Sequence, residues 1–327
     1  MQIIIRVACS ALLALAGLAV GRAAVAQEYP TRPITYIMPF AGGSASDVVS
    51  RIMLDKMSKS MGRPIIVDNR PGAGGNTGTA AGAKAAPDGY TLIGGGLGPV
   101  AANVTLYKAL GYDPVRDLEI ISPFAGFTII VVTSTTLPVK SLKELIALAR
   151  AEPGKLDYGS VGIGSSQHLA GEYFAQVTHT RINHVPYRNI AQYGADLIAG
   201  VVPLGFQWYP NVAGAIEAKG AIPLAVAGDR RLPVLPDTPT ALEAGLPDYE
   251  LSGWFGLFAP AGTPKPILER LNKELIAALK DAAVRRSFEQ AGAEPMMLSL
   301  DQAKKFHVGE IAKYRDIITR AGIQQIE

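Results

Sequence analysis

Apolar positions along the chain follow two alternating periods. Short runs rich in β-branched and aromatic residues, ITYIMPF (34–40), RPIIVDN (63–69) and YTLIGGG (90–96), read as strands. Between the first two, Val48, Val49, Ile52, Met53 and Met57 recur at helical spacing and predict a helix from about Ala45 to Met61; a helix of small residues is expected before the third. Such alternation argues for parallel sheets with helices on both faces, an α/β fold. The pattern then restarts. SLKELIALARAEPGK reads as a helix ended by Pro153 and Gly154, LDYGSVG as a strand, SSQHLAGEYFAQV as a helix, INHVPY as a strand, IAQYGADLIAG as a helix and VPLGFQW as a strand.

Two extended apolar segments, FTIIVVTST and SGWFGLFAPAGTP, are what a chain needs to leave one domain, build another and return. This predicts domain 1 from 27–126 and 254–327, domain 2 from 127–253, and a ligand cleft between them. The pattern PILERLNKELIAALKDAAVRRSFEQAG reads as one long helix, and a last helix through IAKYRDIITRAG is expected to pack back on domain 1. No heptad array, solenoid repeat or low-complexity tract occurs.

The first 26 residues change the picture. A basic start at Arg6, an apolar stretch from Val7 to Val20 and small residues at Ala24 and Ala26 form a secretory leader with cleavage expected after Ala26. The apolar stretch falls short of the roughly 20 residues of a membrane span. Cys9 is the single cysteine and lies inside the leader, so disulfides, thiolate chemistry and cysteine metal sites are lost with it, and it stands too early to carry a lipid anchor. Cleavage removes Arg6, Arg22 and no acid, taking the formal charge from +3 to +1, which offers nothing to nucleic acid.

Two Gly/Ser loops between a strand and a helix stand out, PFAGGSASD (39–47) and YGSVGIGSSQH (158–168). A nucleophile elbow needs glycine two residues before and two after the serine. Ser44 has Gly42 before it but Ser46 after it; Ser160 follows Tyr158 by two, and Ser165 is followed at that spacing by Gln167. PGAGGNTG misses the dinucleotide fingerprint because Thr77 occupies the third glycine position, and close helix-to-strand packing is the better reading there. No P-loop occurs. The four histidines, His168, His179, His184 and His307, have no metal-site spacing, and only His168 lies close in sequence to either loop. What remains is the pair of helix starts. Their first N–H groups have no intrahelical partner and carry part of the helix dipole, glycine and alanine let a ligand approach, and Ser44, Ser46, Ser165 and Ser166 add hydroxyls. Two such loops on two domains make a cleft able to close on a carboxylate. Simple serine-capped helix starts are the plainer alternative.

The order PFAGGSASD, VDNRPGAGGNTG, KAAPDGYTL, GSVGIGSSQHLAGE, HVPYRN, ADLIAG, PDTPTALEAG and GWFGLFAPAGTP resembles the Bug-type periplasmic solute receptors of bacterial tripartite tricarboxylate transporters, over essentially all of the chain after the leader. The resemblance implies two Rossmann-like domains joined by crossing extended segments in a flytrap architecture. It implies a monomeric, cofactor-free, non-enzymatic periplasmic receptor that delivers a small carboxylate to a membrane permease. Carried onto this sequence, the first loop supplies Phe40, Ala41, Gly43, Ser44, Ala45, Ser46 and Asp47, and the second Ser160, Gly164, Ser165, Ser166, Gln167 and His168. Asp47 matches a family acid that, in the first turn, organises the loop and favours the helix dipole.

Departures from the family pattern are informative. Where many relatives read HVPYKG, this chain has Tyr187, Arg188 and Asn189, offering a guanidinium suited to a second carboxylate. Gln207 and Trp208 stand where an acid often follows the phenylalanine, which disfavours an amino-acid ligand. With Phe40, Tyr187, Trp208 and Tyr209 as possible cleft walls, an aromatic carboxylate such as terephthalate or a benzoate joins the aliphatic dicarboxylates as expected ligands. An exported α/β hydrolase and a ligand sensor that presents its closed form to a signalling partner are the alternatives.

Overall fold

The computed structural model describes residues 29–320 and 323–326. The expected leader, with Cys9 and the cleavage site after Ala26, lies outside them. Among the described residues no helix is long and apolar enough to cross a membrane.

Two mixed sheets carry the fold. The first is six-stranded, in the order β11-β4-β10-β3-β1-β2, from β1 (Ile34–Met38), β2 (Ile65–Asn69), β3 (Thr91–Gly96), β4 (Leu118–Thr128), β10 (Ser252–Pro260) and β11 (Ala293–Pro295). Strands β1, β2 and β3 run parallel, with Tyr36 in register with Val67 and Leu92, whereas β10 runs antiparallel to β3 and β4. The glycines that end β3 have a packing reason. A Cβ on Gly94 or Gly95 would overlap Tyr36, Phe255 or Phe258, so β3 gives up side chains where β10 supplies large rings. The second sheet is five-stranded, in the order β7-β6-β8-β5-β9, from β5 (Ile130–Ser134), β6 (Asp157–Ser160), β7 (Asn183–Pro186), β8 (Leu204–Gln207) and β9 (Ala221–Val226). Here β6, β7 and β8 are parallel.

Helices α1 (Ala45–Met61), α2 (Asn76–Ala83) and α3 (Asn103–Leu106) follow the first three strands; α4 (Leu142–Ala151), α5 (Ser166–Thr178), α6 (Ile190–Ala199) and α7 (Tyr209–Glu217) belong to the second sheet; α8 (Lys265–Lys280), α9 (Ala282–Gln290) and α10 (Leu300–Arg320) return to the first. Helix α1 has the predicted bounds, starting at the Ser44 cap and stopping at Gly62, whose φ of 68° favours glycine. The pattern expected as one long helix is two. Asp281 leaves helical geometry at ψ 131° and caps α9 by accepting from the Ala283 and Val284 N–H groups. A Ser/Asp-type cap outweighs continuous apolar spacing there.

The core of the second sheet has two sides. Ile130 and Val132 pack with Tyr193, Leu197, Val212 and Ala215, while Phe206 meets Phe174, Tyr158 and Tyr249 on the other side. The chain passes between the sheets at Ile129 and returns between Val226 and Ser252. Three backbone bonds tie these passages together: Ala227 N–H to Ile129 O, Leu251 N–H to Ala227 O, and Ile129 N–H to Leu251 O, at 2.8, 2.9 and 3.3 Å.

Candidate functional site

All the parallel strands end toward one region. The loops after β1, β2 and β3 from one sheet, and after β6, β7 and β8 from the other, face each other there, as ligand-binding loops of open α/β sheets do.

The two helix starts are built alike. Ser44 caps α1 with φ/ψ of −66°/159° and Ser165 caps α5 with −72°/161°; each hydroxyl accepts the N–H three residues on, from Asp47 at 3.4 Å and His168 at 3.3 Å. In each, that third residue then reaches back to the residue before the cap. Asp47 accepts the Gly43 N–H at 2.9 Å, and His168 Nδ1 accepts the Gly164 N–H at 3.2 Å. Asp47 and His168 therefore do the same job, one as a carboxylate and the other as a neutral imidazole.

Asp47 is buried. Burial alone would raise its pKa, but hydrogen bonds from Arg51, Asn69 and the Gly43 N–H prevail and hold it below the usual carboxylate value. His168 is pushed down to about 4 by burial, and His184, with its ring 4.3 Å away, to about 3 by burial and by His168. Around the pair stand Tyr158 and Glu172, the Glu172 carboxylate 2.8 Å from the Tyr158 hydroxyl and 3.9 Å from His168 Nε2. Because both imidazoles titrate lower in the folded protein than the ordinary 6.5, their contribution to stability is complete above pH 6.5 and is lost as pH falls toward 4 and 3. Urea unfolding between pH 7 and 5 should show stability falling by up to about 1.4 kcal/mol per pH unit for each histidine. His168→Gln should flatten that slope; an equally steep profile in the variant would count against the assignment.

Two cavities lie between the facing loops. The smaller, about 10 Å³, is roughly the size of one water and is bordered by Ser44, Ala45, Ser46, Ser166, Gln167, Trp208 and Asn211. In the first turn of α1 the Ala45 N–H is taken by Asn211 Oδ1 at 2.8 Å and the Asp47 N–H by the cap. The Ser46 N–H, together with those of Ser166 and Gln167 on α5, is a first-turn donor beside the cavity. Trp208 is buried, stacks on Phe127 at 4.4 Å, and its indole N–H has no partner among the described residues. The larger chamber, about 330 Å³, adjoins the first through Phe40, Ser44 and Val161 and also meets Ala41, Tyr187 and Arg188. Arg188 is exposed, and no ion-pair partner is found for it among the described residues. Among the described residues no group of three or more His, Cys, Asp or Glu side chains is placed to hold a metal ion.

Of the expected site residues, Phe40, Ala41, Ser44, Ala45, Ser46, Ser166, Gln167, Tyr187, Arg188 and Trp208 border the cavities. Gly43, Asp47, Gly164, Ser165 and His168 stand behind them and shape the loops. Gln207 is buried, donating to Gly159 O and accepting from Asn211 Nδ2, so it positions Asn211. Ser160 Oγ lies 2.6 Å from His184 Nε2, a contact the sequence hides because 24 residues separate them. Ser160 is wholly buried and borders neither cavity, so this pair lacks the access a nucleophile needs.

Other contributors escaped the sequence reading. Asn211 is one. The PGAGG turn is another: Gly78 and Gly82 do serve close helix-to-strand packing, but Pro71, Gly72 and Gly74 line the chamber. Tyr107 donates to Ile163 O across the cleft at 3.1 Å, and Gly98 packs so near the Gly164 carbonyl that a Cβ would overlap it. These contacts join the two loop sets directly.

Known proteins resemble the chain over most of its length. Residues 49–323 match the family model for the tripartite tricarboxylate transporter family receptor. BugT of Bordetella pertussis is 34% identical over 317 residues, covering 95% of this chain and 97% of BugT. Two solved structures superpose closely: R. palustris Rpa4515 with adipate, 35% identical with a TM-score of 0.88 over 91% of this chain and 100% of that one, and MatC (Rpa3494) from Rhodopseudomonas palustris with bound malate, 31% identical with a TM-score of 0.82 over 89% and 100%. The family model spans most of the chain and BugT matches it over nearly its whole length, so the chain belongs to the tripartite tricarboxylate transporter family of solute-binding receptors.

Proposed function

We propose that the protein captures a small carboxylate between its two halves and delivers it to the permease of a tripartite tricarboxylate-type transporter. The observation that carries this reading is the convergence of two serine-capped helix starts, α1 and α5, on one cavity. A carboxylate drawn up to that cavity from the adjoining chamber gains charge-assisted hydrogen bonds from first-turn N–H groups and hydroxyls without a buried cation. The relatives with adipate and malate support the same ligand class. In this reading 27–126 with 254–327 close against 127–253, turning about the Ile129, Ala227 and Leu251 passages. The leader sends the chain to the periplasm, and Arg188 meets a second acid group on the ligand. The protein acts as a receptor, not a catalyst.

The test begins with protein expressed with its own leader, which should be recovered from the periplasm starting at Gln27. Thermal melts with aliphatic dicarboxylates, citrate, benzoate, terephthalate and amino acids should show at least one carboxylate raising the melting point by several degrees unconsumed, since ligand at about 100 times Kd adds about 2.7 kcal/mol. Arg188→Ala should weaken dicarboxylates more than benzoate. No shift with any carboxylate, or product formation, would overturn the reading.

A further inference from the structure

The larger chamber differs in chemistry from the small cavity beside it. Its walls are mainly hydrocarbon and aromatic, including Phe40, Val161, Ile163 and Ile190. The two phenols that border it are already committed, Tyr107 to Ile163 O and Tyr187 to Asp196 at 2.7 Å, and Arg188 is the one charged side chain that lines it among the described residues. At about 330 Å³ it lies at the small end of the roughly 300–1,000 Å³ range of ligand sites.

One wall comes from a distant part of the chain. The segment 323–326 lies along 105–108: Ile326 pairs with Tyr107, its N–H donates to Leu106 O at 2.7 Å, its carbonyl accepts the Lys108 N–H at 3.0 Å, and Gln325 Nε2 donates to Thr105 O at 3.0 Å. This clamp presents Ile326 to the chamber and backs the residue, Tyr107, that bonds across the cleft.

We infer that this chamber receives the body of the ligand, that the ligand is a carboxylate with an apolar body and not a hydroxylated tricarboxylic acid, and that Ile326 sets how long that body is. The inference rests on the proposed carboxylate site between α1 and α5. Arg188 apart, the described side chains that line the chamber offer a hydroxyl or third carboxylate few free donors, and such groups are costly when unpaired. Each methylene buried in the chamber should instead strengthen binding about fourfold.

Calorimetry with succinate, glutarate, adipate, suberate, terephthalate and citrate tests this. Affinity should rise with chain length until the chamber is filled and then fall, with citrate weaker than the best diacid. Ile326→Ala should move the optimum toward longer acids, and Ile326→Val, which keeps the clamp and most of the volume, should move it less. If no acid binds, the underlying carboxylate reading fails. If acids bind without length dependence, or citrate binds best, the chamber inference fails while the carboxylate site stands. An equal loss for every acid in both variants, with melting points unchanged, would remove Ile326 from selectivity.

Discussion

Gly98→Ala is expected to weaken carboxylate binding by about 5- to 150-fold while leaving the melting point of the unliganded protein nearly unchanged. Gly98 does not have the positive φ that favours glycine, so alanine fits its backbone. The added Cβ meets the Gly164 carbonyl, which belongs to the loop after β6 on the other sheet. Both partners at that contact are backbone and have little freedom to yield. Overpacking of this kind costs about 1–3 kcal/mol, and separation of the two loop sets relieves it, so the penalty falls on the closed, ligand-holding form. Calorimetry would read the affinity, and small-angle scattering at saturating ligand would show whether the variant still compacts. Gly194→Ala is the control, because a Cβ there meets nothing within 4 Å. Unchanged affinity in Gly98→Ala would mean that the loops do not meet this closely when ligand is held.

Asn211→Leu should have a comparable effect for a different reason. Asn211 joins the halves through a relay: its Oδ1 accepts the first N–H of α1 from Ala45, and its Nδ2 donates to Gln207, which in turn holds Gly159 O. Leucine removes both bonds, leaving the Ala45 N–H and Gln207 Oε1 buried without partners in the closed form. The Ala45 bond is the one that crosses between the halves, so at about 1–3 kcal/mol for an orphaned group the loss should be about 5- to 150-fold in affinity. With the halves apart the Ala45 N–H meets water, so unliganded stability should change much less than binding. A variant that loses stability and affinity in equal measure would place Asn211 in the ordinary core.

The sheets, the helix order and the two capped loops were legible because each leaves a local trace. Ser44 and Gly62 bracket α1, and a β-rich run followed by small residues marks the carboxyl end of a strand. Asp281 was missed because apolar spacing continues through it, although an acid three residues before Val284 is itself a cap signal. Trp208 was open between core and cleft, and the structure shows it as both, stacked on Phe127 and bordering the small cavity. The chamber was not legible. Tyr107, Ile163 and Ile326 meet only because two sheets and the segment 323–326 are brought together in space, and no periodicity records contacts between residues so far apart in the chain. Asn211 did leave a trace, four residues after Gln207 at the junction of β8 and α7. That spacing acquires meaning only once the facing helix start is known.

The passage at Ile129 has a consequence for how the protein can change. One residue separates β4 from β5, so the two sheets share a reading frame in the sense that side chains alternate faces along both strands. Ile130 and Val132 point toward Tyr193, Leu197 and Val212 because of that count. A single inserted or deleted residue would turn β5 over, sending those side chains into the opposite layer and breaking the three-bond tie to Ala227 and Leu251. The link between the two sheets is thus locked in length, whereas a residue added to a loop at a strand end leaves the facing of every strand unchanged.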